Sequence, residues 1–155
     1  MAEVTERTLI ICKPDALQRN LMGEIITRFE RKGLKIVGLK MIQLSDVMLE
    51  EHYEHHKDKP FFDGLKRYMK QSPVLGMVLE GDECINAVRL ITGATKGAEA
   101  DAGTIRGDMA MATPGNLIHA SDSLENAKME IERFFKEDEL FDYKKIDETF
   151  LYWRD

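Results

Sequence analysis

The spacing of apolar residues changes several times along the chain, and each change marks an element. "TLIIC" (8–12) is a continuous apolar run, the pattern of a strand covered on both faces. Pro14 behind it fits the first position of a short helix or turn. In "EIITRFERKG" (24–33), Ile25, Ile26 and Phe29 share one helical face and Gly33 ends the helix. "LKIVGLKMIQL" (34–44) is β-like, with Gly38 as a bulge. "SDVMLEEHYEHH" (45–56) predicts a helix capped by Ser45 or Asp46, and "PFFDGLKRYMKQ" (60–71) a second one opened by Pro60. "PVLGMVLEG" (73–81) predicts a strand ending at Gly81, and "DECINAVRLITG" (82–93) a helix ending at Gly93. "ATKGAEADAGTIRGD" (94–108) holds too many glycines and small residues for a regular element, so a long functional loop is expected. "NLIH" (116–119) predicts a short strand. "SLENAKMEIERFF" (123–135) is the clearest helix, with Leu124, Ala127, Ile131 and Phe134 at spacings of 3, 4 and 3. The order β-α-β-α-β-α-β-α predicts an α+β fold, the ferredoxin-like split βαβ sandwich: a four-stranded antiparallel sheet covered by helices.

A chain of 155 residues predicts one domain over 1–155. That length buries roughly 70% of the unfolded surface. No apolar run approaches a membrane span, so no membrane helix is expected. The opening residues read as a buried strand rather than a secretory signal, because the apolar run is short and ends in Lys13, Pro14 and Asp15. The net charge of −6 argues against unspecific nucleic-acid binding, yet a local cluster of bases in a cleft can still hold a small anion. Cys12 and Cys84 form no Cys-x-x-Cys pair, which points to a reducing cytoplasm.

The candidate chemistry begins at His119. It ends a strand, where ligands gather in α/β sheets, and Ala120 and Ser121 leave space beside the imidazole. Glu130, on the next helix, stands about 60° from the centre of the apolar stripe. From that rim a carboxylate can accept one ring N–H and leave the other nitrogen as nucleophile. A buried, hydrogen-bonded histidine is the competing reading. Lys13 closes the first apolar strand, and Pro14 keeps it extended; a solvent-facing strand end competes. Arg89 lies in an apolar helix, where a solvated face competes. Arg106 in "GTIRGD" stands between two glycines, which let a tight turn aim one guanidinium. Of Phe61 and Phe62, one can be core and the other a stacking platform. Lys13, Arg89, Arg106 and a histidine together suit a polyphosphate, and no Walker-type glycine loop is present. His52, His55 and His56 stand at i, i+3 and i+4 in the predicted helix. They offer a metal site, weighed against a solvated helix face.

"TLIICKPDALQRNLMGEIITRFERKG", "HYEHHKDKPFFDGL", "GTIRGD" and "GNLIHASDS" resemble the nucleoside diphosphate kinase family, in register from about Thr8 to Tyr152. The resemblance implies a ping-pong enzyme: the terminal phosphate of a nucleoside triphosphate passes to the δ nitrogen of His119, then to a nucleoside diphosphate. It implies that Glu130 and Ser121 hold the other ring nitrogen. Lys13 would bind phosphate and the ribose 3′-hydroxyl. Tyr53, Arg89, Thr95 and Arg106 would contact phosphates, and Asn116 the ribose. Phe61 would stack on the base, with Leu65 and Thr113 lining the slot. Mg²⁺ would arrive on the nucleotide, with Asp122 near it through water. A homo-oligomer is implied, a hexamer rather than a tetramer. The loop departs from the family, which commonly has Asn or Asp followed by Pro where Lys96 and Gly97 stand and Pro where Ala102 stands, and Met109 replaces an aromatic. These changes bear on stability and subunit packing. The alternative is a non-catalytic nucleotide or nucleic-acid binding module of the same fold. It is disfavoured by the acidic charge and by the lack of RNA-binding aromatic motifs. A structural scaffold role is the third reading.

Overall fold

The computed structural model describes residues 5–154. Strand β1 (Thr5–Cys12) lies inside the sheet and is buried from Thr8 onward. It pairs antiparallel with β3 (Val74–Asp82) on one side and β4 (Ile118–Ala120) on the other. Strand β2 (Lys35–Ile42) pairs antiparallel with the far side of β3, so the order is β2-β3-β1-β4. This is the predicted ferredoxin-like arrangement. The β2 ladder is irregular between Ile36 and Gly38, the expected bulge. A Cβ on Gly38 would stand 2.9 Å from Leu140 Cδ2, so a side chain there would have to push the neighbouring segment aside.

The helices are α1 (Pro14–Gln18), α2 (Met22–Lys32), α3 (Asp46–His52), α4 (Phe62–Met69), α5 (Cys84–Thr92), α6 (Ile105–Met109), α7 (Leu124–Phe134) and α8 (Glu148–Leu151). They cover both faces of the sheet, which is why "TLIIC" is apolar throughout. Ile10 and Cys12 pack with Ile25, Phe29, Val88 and Ile105 of α2, α5 and α6. Leu9 and Ile11 point the other way, into Leu49, Met69, Ile131 and Phe134 of α3, α4 and α7. His119 is the register partner of Ile11. Residues directly opposite in a ladder share a face. The imidazole is therefore delivered to the α3–α7 side.

Local chemistry sets the boundaries. Ser45 accepts from Met48 N and Ser123 from Asn126 N, capping α3 and α7. The predicted helix over 45–56 stops at His52, and a 3₁₀ turn at Glu54–His56 follows. The one predicted over 60–71 narrows to α4. The segment 94–108 is not one loop: it holds a 3₁₀ turn at Gly97–Glu99 and the start of α6, capped by Thr104 Oγ1 accepting from Gly107 N. Gly107 is required there, since a Cβ would stand 1.8 Å from Asp101 O. Strand β4 begins at Ile118 rather than residue 116, because Leu117 is left-handed, with φ 73. Asp15 Oδ2 accepts from Leu117 N (3.0 Å), and Leu117 O accepts from Lys13 N (2.9 Å). Those bonds hold a fully buried leucine in a conformation that costs about 1–3 kcal/mol.

The two sheet margins differ. At one end of β2, Phe141 N donates to Val37 O (2.8 Å) and Tyr143 Oη donates to Ile36 O. Farther along β2, Leu39 and Met41 are exposed. Among the described residues, no helix is long and apolar enough to cross a membrane.

Candidate active site

A cleft of about 1200 Å³ opens beside β4. Every predicted site residue lines it except Ser121, which is buried just behind. Glu130 Oε2 stands 3.0 Å from His119 Nε2, at ion-pair distance though not along the direction of a ring N–H. Ser121 Oγ donates to Glu130 Oε1 at 2.5 Å and is itself held by Leu9 N (3.2 Å). One carboxylate oxygen is thus fixed to the sheet while the other faces the imidazole. Burial works against the Glu130 charge, but His119 and Ser121 outweigh it and hold the carboxyl below its ordinary range.

Lys13 is not the last residue of the strand, as its sequence position suggests. It follows β1 and opens α1 in an extended conformation. Its Nζ donates to Asn116 Oδ1 (2.8 Å), and Asn116 Nδ2 donates to Thr95 O (2.9 Å), so three separate segments are tied at one wall of the cleft. Burial pushes the Lys13 pKa down to about 8; the Arg106 charge adds to this and Asp15 opposes it.

Arg106 differs most from expectation. It is buried, and three of its nitrogens donate to main-chain carbonyls: Asn116 O (3.3 Å), Gly93 O (3.1 Å) and Ile118 O (2.5 Å). Flanking glycines do not aim a free guanidinium; α6 carries it into a clamp that still borders the cleft. Burial, then the Arg89 charge, lowers its pKa to about 10, still well above neutrality. Arg89 is exposed on α5 and reaches Ala120 O at 3.5 Å. Both arginines cover outward carbonyls of β4. Tyr53 is half-buried, and burial, then the Glu130 charge, raises its phenol to about 12, so it stays a donor. Phe61 is 52% exposed at the outer end, with Leu65 and Thr113 nearby on the lining. Asp122 Oδ1 accepts from Asn126 Nδ2 (2.6 Å), and its side chain borders the cleft.

The histidine trio does not form one solvated helix face. α3 ends at His52, and the 3₁₀ turn rotates His55 and His56 onto a different bearing, with their ring centroids 3.9 Å apart. His52 is buried, its ring edge-on to His119 at 4.8 Å. Its Nδ1 lies 3.0 Å from Arg133 Nη1. Burial, with the nearby His119, drops its pKa to about 3, so it is neutral. Sequence reasoning missed His52, Arg133 and Asp15 as parts of this region. The signal for His52 was its place three residues after Leu49, on the same buried helical face.

An imidazole backed by a fixed carboxylate, beside three cations and a half-exposed aromatic, can hold an anion and accept an electrophile. The family model for nucleoside diphosphate kinase matches residues 6–140. A nucleoside diphosphate kinase of Methanobrevibacter smithii is 50% identical over 147 residues, 95% of this chain and 98% of that protein. The structure of a halophilic nucleoside diphosphate kinase from Halobacterium salinarum in complex with CDP superposes with a TM-score of 0.93 and 44% identity, covering 96% of this chain and 99% of that one. A transition-state mimic of nucleoside-diphosphate kinase from Borrelia burgdorferi, with bound vanadate and ADP, gives 0.89 and 36%, covering 97% and 98%. The chain therefore belongs to the nucleoside diphosphate kinase family, a family of phosphotransferases.

Proposed function

We propose that this phosphotransferase moves the terminal phosphate of a nucleoside triphosphate to a nucleoside diphosphate through His119, working as one domain over 1–155. The observation that carries the reading is the His119–Glu130–Ser121 chain at the wall of a cationic cleft. With the proton on Nε2, the nitrogen 3.0 Å from Glu130, the Nδ1 lone pair attacks the γ phosphorus. The bond from phosphorus to the β–γ bridging oxygen breaks, its electrons stay on the departing diphosphate, and the ring becomes a phosphorylated cation. Glu130 balances that charge in place, because Ser121 has already oriented it. A second diphosphate then takes the phosphoryl group by the reverse path.

Lys13 and Arg89, with the remaining N–H groups of Arg106, neutralise phosphate charge. Tyr53 and Thr95 donate to phosphate oxygens. Asn116 serves the ribose, already oriented by Lys13 and Thr95. Phe61 stacks on the base, with Leu65 and Thr113 beside it. Stacking reads a π-face common to all bases, so base selectivity is weak. Mg²⁺ enters as part of the substrate, on the phosphates. Asp122 has one oxygen spent on Asn126 and a second free for a hydrated cation, the hard donor Mg²⁺ takes. Assembly into a homo-oligomer, with a hexamer as the proposed form, draws its support from exposed apolar groups such as Met111, Ile146 and Phe150, which point to association as such. A reducing cytoplasm is supported by Cys12 and Cys84, free, buried and pushed up to about 12 by that burial.

The test is to incubate the protein with γ-labelled ATP and Mg²⁺, remove nucleotide, and follow the label. It should resist alkali, be lost in acid, and pass to a diphosphate. His119→Ala abolishes labelling and transfer, while Glu130→Ala slows transfer by a smaller factor. Full transfer by His119→Ala refutes the assignment. A binding module would hold nucleotide without label exchange.

A further inference from the structure

Three groups with metal-ligand chemistry converge behind the nucleophile. His52, His119 and Glu130 each offer one ligand atom, and these atoms all lie within 4.8 Å of one another. Glu130 Oε2 stands 3.0 Å from His119 Nε2 and 3.8 Å from His52 Nδ1. In a tetrahedral zinc site with bonds of about 2.0–2.2 Å, ligand atoms stand about 3.2–3.6 Å apart. The two carboxylate spacings lie on either side of that range and the third is within 4.8 Å, so side-chain rotation that draws the two imidazoles together completes it. His119 Nε2, the atom facing the site, is buried without a hydrogen-bond partner among the described residues. The one rival on His52 Nδ1 is Arg133 Nη1 at 3.0 Å. All three residues border the cleft, which supplies an entry path and room for water as fourth ligand. Two imidazoles and one carboxylate suit Zn²⁺ and its neighbours, not Mg²⁺, which takes oxygen ligands.

We propose that His52, His119 and Glu130 form a latent site for a borderline divalent transition metal, Zn²⁺ foremost, and that its occupancy arrests phosphoryl transfer. The arrest rests on His119 being the nucleophile; the binding does not. A metal on Nε2 replaces the ring proton beside Glu130, and Glu130 becomes a ligand instead of a counter-charge. Phosphorylating Nδ1 would then set a cationic ring against a dication.

The test uses the whole, nucleotide-free protein titrated with Co²⁺ in a non-coordinating buffer. Intense visible absorption at one cobalt per chain, displaced by Zn²⁺, is expected. His52→Gln and Glu130→Gln each weaken binding at least tenfold, with circular dichroism confirming the fold. A His55→Gln/His56→Gln double variant keeps it. Arg133→Gln tightens it severalfold by removing the rival cation. In transfer assays with excess Mg-nucleotide, Zn²⁺ inhibits the unsubstituted protein, a chelator restores it, and Arg133→Gln is inhibited at lower Zn²⁺. Zinc taken up by nucleotide alone would inhibit both proteins equally, and that result overturns the proposal. So does a lack of cobalt absorption, its loss in the His55/His56 variant, or a filled site with unchanged transfer. Absent cobalt binding with His119→Ala inactive defeats the metal site alone. Cobalt bound while His119→Ala still transfers defeats the nucleophile assignment, and with it the proposed arrest.

Discussion

Replacing Arg106 by lysine separates a clamp from a simple cation. Arg106 spends three nitrogens on carbonyls from residues 93, 116 and 118. Lysine keeps the charge but has one ammonium, which cannot span all three. A hydrogen bond from a charged donor contributes about 1.5–3 kcal/mol net. Losing two, with water readmitted to part of the site, predicts a destabilisation of about 2–4 kcal/mol. Arg89, exposed with a single 3.5 Å contact, provides the control: Arg89→Lys should cost under about 0.5 kcal/mol. The assay is urea unfolding followed by circular dichroism at one fixed protein concentration, because assembly adds to apparent stability. The midpoint should fall for Arg106→Lys at constant slope. Its kcat/KM should also fall below that of Arg89→Lys, because the carbonyls it holds fix the approach to His119. Equal midpoints for the two variants would refute the clamp.

Two further outcomes follow from the cleft. The Lys13 pKa is lowered to about 8, so the free enzyme loses this cation above that pH. A pH profile of kcat/KM should decline on its alkaline side from there, and Lys13→Arg should flatten the decline; a flat native profile to pH 10 contradicts it. The stability sign is opposite: between about 8 and 10.5 the unfolded chain holds a proton the folded chain has released, so this group's contribution to stability rises with pH. Phe61→Ala should raise KM for purine and pyrimidine nucleotides alike, by the equivalent of about 1–3 kcal/mol of stacking. Steady-state kinetics on four nucleotides checks this, and an effect confined to one base contradicts it.

Regular elements were legible because their burial is two-sided or one-sided in the sequence itself. "TLIIC" has no polar gap because Leu9 and Ile11 meet one helix layer while Ile10 and Cys12 meet the other. The residues named through the family resemblance were legible in its motifs, and the structure brings them together around one cleft, with Ser121 just behind it. What was not legible depends on backbone angles that side-chain pattern does not encode. Leu117 in the left-handed region shortens β4, and nothing in an apolar leucine announces φ 73. α6 hid behind Gly103 and Gly107, which look like loop residues, although Thr104 is a good cap. A shared face for His52, His55 and His56 holds only if the helix runs through residue 56; ending it at His52 breaks that 3.6-residue phase. The role of Arg106 depends on carbonyls far from it in the chain, and only the folded topology brings them within reach.

The unequal margins of the sheet limit how copies of this chain can join. The guanidinium groups of Arg89 and Arg106 occupy the outward oxygens of β4, and Phe141 and Tyr143 seal one end of β2. Among the described residues, only the stretch of this sheet carrying Leu39 and Met41 is left without such a cover. A body with one adhesive strip can dock once through it, two copies face to face about a dyad, and the strip is then used up. Endless edge-to-edge polymers are thereby denied a second attachment point.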